Sequence, residues 1–131
     1  MQTEKFILNE ERNVTLTSYI QDISPEMKHL DKRPAILVLP GGGYFMCSDR
    51  EAEPVALAYL AEGYNAFVLR YSILEHSTFP NPLDDACKAI SFIRENAEKF
   101  NILPDKVAAI GFSAGGHLCA YLSNTEGYRP N

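Results

Sequence analysis

A serine flanked by glycines is the residue of this sequence best placed for nucleophilic chemistry. Residues 111–115 read GFSAG, and they follow the apolar run 106–110. Where such a run is a buried strand and a helix comes next, the serine, here Ser113, lies on a sharp turn (the elbow, followed by the elbow helix) with its hydroxyl above the sheet. Gly111 and Gly115 are then required, since a Cβ there would collide with the neighbouring strand or helix. The alternative is a glycine-rich turn with an incidental serine.

A second glycine segment, PGGGY at residues 40–44, follows the apolar run 35–39. Acyl transfer passes through a tetrahedral oxyanion, which fixed hydrogen-bond donors must stabilise. We predict that the backbone N–H groups of Gly42 and Gly43 supply such donors, together with that of Ala114 after the serine. The alternatives are a flexible turn and a phosphate cradle. The segment lacks the Lys-Ser/Thr of a P-loop and the spaced glycines of a dinucleotide-binding loop.

The hydrophobic pattern predicts strands that alternate with helices. Residues 5–8 and 13–20 alternate polar and apolar side chains, which indicates half-buried antiparallel strands. The continuous apolar runs 35–39, 66–69 and 106–110 are typical of parallel strands covered on both faces. The resulting order, β-β-β-α-β-α-β-α with the last helix starting after the serine, predicts an α/β fold with a mainly parallel sheet and antiparallel N-terminal strands.

Two helices are expected before the serine. Apolar residues recur at three- and four-residue spacing through 52–60, and Gly63 is the expected C-terminal cap. The second helix has an apolar stripe from Leu83 to Phe100. We expect Asn81 to cap it and Pro82 to occupy its first position. The two acidic residues that follow, Asp84 and Asp85, are expected to complement the positive end of the helix dipole.

Composition excludes several classes of protein. The 131 residues suffice for one domain, and 46% hydrophobic with 22% charged residues argue against disorder. A net charge of −5 with scattered basic residues argues against a nucleic-acid partner. No signal peptide and no membrane-spanning run is evident, so a cytoplasmic location without membrane contact is expected. The three cysteines are expected to be buried free thiols, and no cofactor and no metal ion is expected.

The two glycine segments and the sequence between them resemble a known family. Besides PGGGY, the resemblance rests on SDREAEPVALAYLAEGYNAFVLRYS and NPLDDACKAISFIRENAEKFNILPDKVAAIGFSAGGHL, and it covers about residues 34–122. The chain is similar to the α/β-hydrolase esterases of the BD-FAE and acetyl-xylan-esterase-like group. The resemblance implies a serine carboxylester hydrolase that acts on short acyl groups, often acetyl groups on sugars or small alcohols. It carries over Ser113 as nucleophile and Gly42, Gly43 and Ala114 as oxyanion-hole positions.

The base and acid that a serine nucleophile needs are not evident. In α/β-hydrolases they follow the serine in the order Asp or Glu, then His, and the last eighteen residues contain His117 and Glu126 but no aspartate. His117 is expected to face the sheet or a neighbouring helix, where it would pack or support residues of the site and would not serve as the base. His29 and His76, in polar loops before the serine, are expected to be solvated.

We therefore expect residues 1–131 to be the N-terminal part of a single α/β-hydrolase domain that stops after the elbow helix, without the Asp and His of the triad. Such a chain would be inactive alone. It would associate with itself or with a complementing C-terminal fragment, because the strand before Ser113 would have one open edge. The substrate expected for the whole enzyme is a small-molecule ester.

Two other functions remain open from the sequence. One is a non-catalytic binding module with the same fold. The other is a peptidase of the prolyl-oligopeptidase type, which shares the serine turn. The triple glycine followed by Tyr44 favours the esterase.

Overall fold

A five-stranded mixed sheet forms the centre of the computed structural model, which describes residues 1–123. The strands are β1 (Gln2–Asn9), β2 (Val14–Ile20), β3 (Arg33–Leu39), β4 (Asn65–Arg70) and β5 (Ile102–Gly111). The helices are α1 (Glu53–Ala61), α2 (Asn81–Glu95) and α3 (Ala114–Ser123), with short 3₁₀ turns between elements. The predicted α/β fold and its element order are confirmed.

Strand pairing brings the two glycine segments together. In the sheet order β1-β2-β4-β3-β5, β2 is antiparallel to both of its neighbours and β3 is parallel to β4 and β5. Leu39 at the end of β3 lies opposite Gly111 at the end of β5. Since parallel strands end at the same edge of a sheet, the chain segments that follow β3 and β5 emerge side by side.

Helices cover both faces of the sheet. Ile36, Val38 and Val68 pack against the apolar side of α1, whereas Leu37 and Leu39 face α2 and α3 on the other side. This two-sided burial explains the uninterrupted apolar runs of β3 and β4. β2 is also buried almost throughout, not half-buried as predicted, because Val14, Leu16 and Ile20 pack on the side of α2 and α3 while Tyr19 packs on the side of α1. Within residues 1–123, no helix has the length and apolarity to cross a membrane.

Several predicted details of the elements need correction. Asn81 does not cap α2: it is the first residue of the helix, and its side-chain amide donates to the carbonyl of His76 at 3.0 Å. The helix ends at Glu95, so the buried Phe100 belongs to the turn that follows. Strand β5 begins at Ile102, four residues earlier than the apolar run suggested. The three cysteines are free, but half-buried.

Asp85 has a role that the dipole interpretation missed. Its carboxylate is buried and pairs with the guanidinium of Arg12 at 2.6 Å. It also accepts hydrogen bonds from the backbone N–H and the hydroxyl of Ser72, at 2.7 and 2.5 Å. One carboxylate thus joins the β1–β2 turn, the end of β4 and the start of α2.

We expect Asp85→Ala to lower the free energy of unfolding by about 3–5 kcal/mol, because it leaves the Arg12 charge half-buried without its partner. The matched control is Asp49→Ala, since Asp49 pairs with Arg70 at a similar 2.8 Å but its side chain is 92% exposed. That substitution should cost less than about 1 kcal/mol. Urea unfolding measures both, and equal losses would contradict the assigned role of the buried pair.

Candidate active site

Ser113 lies on a tight turn between β5 and α3. Its φ is +53°, in the left-handed region that side chains other than glycine rarely adopt. Its side chain is exposed, and its carbonyl accepts the N–H of His117 at 2.9 Å, which starts the helix. The predicted strand-turn-helix geometry and the strained backbone of the serine are confirmed.

Both elbow glycines are required by close backbone contacts. A Cβ on Gly111 would lie 2.1 Å from the carbonyl oxygen of Gly115, and a Cβ on Gly115 would lie 1.9 Å from that of Leu39. No real side chain tolerates such distances to backbone atoms. The first turn of α3 therefore rests directly on the ends of β3 and β5, and this contact sets the position of Ser113.

The glycine loop after β3 lies against the serine turn. A Cβ on Gly41 would be 2.4 Å from the carbonyl oxygen of Phe112, the residue before the serine. The N–H of Gly41 donates to a carboxylate oxygen of Glu51 at 3.0 Å. Gly42 and Gly43 have φ values of +145° and +64°, which favour glycine. The loop thus approaches the turn closely and bends away through its second and third glycines.

Three backbone N–H groups at this site are unengaged. Among residues 1–123, the N–H groups of Gly42, Gly43 and Ala114 donate to no hydrogen-bond acceptor. Ala114 is the first residue of α3, where N–H groups have no partner inside the helix and the helix dipole is positive. Such groups can bind a developing oxyanion, and the assignment of these three residues to that role remains a prediction.

Two residues that support the loop were missed by the sequence reasoning. The hydroxyl of Tyr71 donates a short hydrogen bond to the carbonyl of Pro40, and burial raises the pKa of Tyr71, which keeps that donor protonated. Glu51 holds the N–H of Gly41. The position of Tyr71 just after β4, at the edge where such sheets place their sites, could have drawn attention to it. Glu51 carries no comparable signal.

His117 does not face the sheet, so that part of the prediction is wrong. Its ring is exposed, because Ala114, Gly115 and Leu118 form the buried side of α3. The Nδ1 atom of His117 lies 3.0 Å from the hydroxyl of Tyr44, which also lies 3.3 Å from the carbonyl oxygen of Ala114. Tyr44 therefore connects the glycine loop to the elbow helix.

A pocket of about 200 Å³ opens between the glycine loop, the start of α2 and the outer side of α3. Most of its walls are apolar or aromatic. Its lining includes Tyr44, Ser77, Phe79, Leu83, His117 and Tyr121. His29 and His76 are not among the residues that line it; His29 is exposed, and Nε2 of His76 lies 3.6 Å from Glu75.

Comparison with known proteins gives concordant similarities. The BD-FAE family model matches residues 21–129. The solved structure of MGS-M1, an α/β-hydrolase enzyme from a Medee basin deep-sea metagenome library, is 58% identical with a TM-score of 0.94. That match covers 99% of this chain and 54% of the MGS-M1 chain.

Two curated relatives are also similar. The acetylxylan esterase of Xylanibacter ruminicola is 38% identical over 100 residues, which is 74% of this chain and 21% of that protein. Endo-1,4-beta-xylanase B of Butyrivibrio fibrisolvens is 45% identical over 95 residues, 70% of this chain and 15% of that protein. The chain thus spans about half of the solved relative and a smaller share of the curated ones.

Proposed function

The chain belongs to the BD-FAE family, an esterase-like group with the α/β-hydrolase fold, and we propose that the intact protein is a serine carboxylic-ester hydrolase with Ser113 as its nucleophile. The observation that carries the proposal is the geometry at the end of β5. An exposed serine with φ of +53° lies against a glycine loop, and three backbone N–H groups near it have no acceptor within residues 1–123. This arrangement suits acyl transfer.

The reaction proceeds through an acyl-enzyme. Ser113 Oγ forms a bond to the acyl carbon, its proton passes to a general base, and the carbonyl π electrons move to the oxygen. The N–H groups of Gly42, Gly43 and Ala114 hold that oxyanion. When the carbonyl re-forms, the bond to the alcohol breaks and the alcohol leaves with the proton from the base. Water then repeats the sequence and releases the carboxylic acid.

We assign the general base and its acidic partner to the part of the fold that this chain does not cover. The match to MGS-M1 includes 54% of that chain, and in α/β-hydrolases both residues follow the serine. The 131-residue chain alone is therefore proposed to lack turnover.

The proposed substrates are esters of short acyl groups, with acetyl esters of sugars or small alcohols first among them. Similarity to an acetylxylan esterase supports this class, and the apolar and aromatic walls of the pocket beside α3 suit a small organic group. No step of this chemistry calls for a cofactor.

A fluorophosphonate probe tests the nucleophile directly. We expect the intact protein to be labelled on Ser113, as located by peptide mass spectrometry, because the probe reacts with activated serines. Ser91, an exposed serine on α2, is the internal control and should remain unlabelled. A folded protein without label at Ser113 would support the non-catalytic binding module instead.

The edge of β5 leads to a proposal about association. Within residues 1–123, β5 pairs with β3 on one side and with no strand on the other. Because open strand edges recruit other chains, we propose that the 131-residue chain by itself associates with a second copy or with a complementing fragment. Light scattering on the purified chain measures its oligomeric state, and a folded monomer contradicts the proposal.

A further inference from the structure

The hydroxyl of Tyr44 links two polar atoms of the site. The hydroxyl of Tyr44 contacts the carbonyl oxygen of Ala114 at 3.3 Å and Nδ1 of His117 at 3.0 Å. A carbonyl oxygen only accepts, and a phenol has a single proton. When Tyr44 donates that proton to Ala114, its second contact requires a proton on Nδ1 of His117. Both hydrogen bonds therefore form together when neutral His117 carries its proton on Nδ1 and leaves Nε2 as a bare acceptor.

The surroundings keep this arrangement in place. Burial raises the pKa of Tyr44, so the phenol remains a donor. The ring of Tyr121 packs edge-on against that of His117, with centroids 5.0 Å apart, and the ring of Tyr44 does so at 6.2 Å. Among residues 1–123, no group hydrogen-bonds Nε2 of His117. The imidazole is thus oriented by its neighbours, and Nε2 is available to a substrate group.

The free acceptor lies within reach of the reacting serine. Ser113 immediately precedes α3, and its carbonyl oxygen accepts the N–H of His117 at 2.9 Å, so the two residues are one helical turn apart. Both side chains are exposed, and His117 and Tyr44 line the pocket beside α3. A hydroxyl on the carbon next to the esterified position of an alcohol lies only a few bonds from the acyl carbon. Such a hydroxyl can therefore approach the imidazole while the alcohol is still attached and the acyl carbon lies at Ser113 Oγ.

We propose that Nε2 of His117, presented as an acceptor by Tyr44, binds a hydroxyl on the alcohol portion of the substrate and thereby selects esters of hydroxylated alcohols. This inference rests on the proposed esterase function and adds the residue that recognises the alcohol portion of the ester. It gives His117 a substrate-binding role distinct from that of the general base.

A matched pair of esters tests the role. 2-Hydroxyethyl acetate and propyl acetate share the acetyl group and differ by a hydroxyl in place of a methyl. The readout is the ratio of kcat/KM for the two esters, measured with the intact protein. We expect the unmodified protein to prefer the hydroxylated ester by about 2- to 10-fold, the size of one exposed hydrogen bond.

Variants distinguish the hydrogen-bond acceptor of His117 from the packing of its ring. His117→Phe keeps a flat ring between the two tyrosines but has no acceptor, so the ratio should fall to about one. His117→Gln places an amide oxygen near the position of Nε2 and should recover part of the preference. Tyr44→Phe removes the hydroxyl that favours the proton on Nδ1 of His117, so the ratio should fall partway. Ser77→Ala, which alters another polar side chain of the pocket, should leave it unchanged.

Each outcome decides the proposal. A ratio that falls in His117→Phe and partly returns in His117→Gln supports it. A ratio that stays unchanged in His117→Phe, or that follows Ser77→Ala instead, overturns it while the esterase function stands. An equal loss of about 10³-fold or more on both esters in His117→Phe would show that His117 is the general base. An intact protein that is folded but hydrolyses neither ester overturns the proposed function, and this inference with it.

Discussion

Replacing Ser113 with alanine is expected to lower kcat for ester hydrolysis by the intact protein by about 10³- to 10⁶-fold. The change removes the atom that forms the covalent intermediate, and the oxyanion hole alone retains only residual catalysis. The free energy of unfolding should change by less than about 1 kcal/mol, because the side chain is exposed and contributes little packing. The left-handed φ of +53° is unfavourable for serine and alanine alike.

The measurement is turnover of p-nitrophenyl acetate together with urea unfolding. Ser91→Ala is the matched control, since Ser91 is also exposed but lies on α2 away from the turn, and it should retain the activity of the unmodified protein. Turnover retained in Ser113→Ala would refute the assignment of the nucleophile. A loss of activity together with a loss of folding would instead make Ser113 a structural residue.

Backbone geometry at the site was predictable because few sequences satisfy it. The apolar runs identified β3 and β5 as covered strands, and a glycine on each side of Ser113 has one physical explanation, close approach of backbones. The positions of Gly111 and Gly115 agree with that explanation. Parallel pairing then places the ends of β3 and β5 side by side, and with them both glycine segments.

Side-chain contacts between distant segments were not predictable in this way. Asp85 has the same local pattern whether it faces solvent at a helix N-terminus or binds Arg12, 73 residues away in the chain. The orientation of His117 depends on which side of α3 is buried, and in the short stretch GGHLCAYL small and apolar residues leave that side undefined. The pairing of Glu51 with Gly41 depends on the path of the loop between them, which carries no periodic signal.

Gly115→Ala is expected to disrupt the packing of α3 on the sheet and to destabilise the fold. The added methyl group would lie 1.9 Å from the carbonyl oxygen of Leu39 and 2.7 Å from that of Pro40. Both are backbone atoms at the end of a central strand, so they cannot move aside as a flexible side chain would. Relieving the overlap requires α3 to lift away from the sheet, which separates Ser113 from the glycine loop. We expect a loss of about 3 kcal/mol or more in the free energy of unfolding, or failure to fold.

Gly116→Ala is the control that isolates this contact. It is the next residue of the same helix, but its added methyl group would lie 3.3 Å from the carbonyl oxygen of Gly111, a distance that a small shift relieves. Alanine also favours helix over glycine by about 1 kcal/mol, which offsets the tighter contact. Gly116→Ala should therefore stay within about 1 kcal/mol of the unmodified protein in urea unfolding. If both variants lost stability equally, general crowding of the helix would be the cause, and the specific contact of Gly115 with β3 would not position the serine.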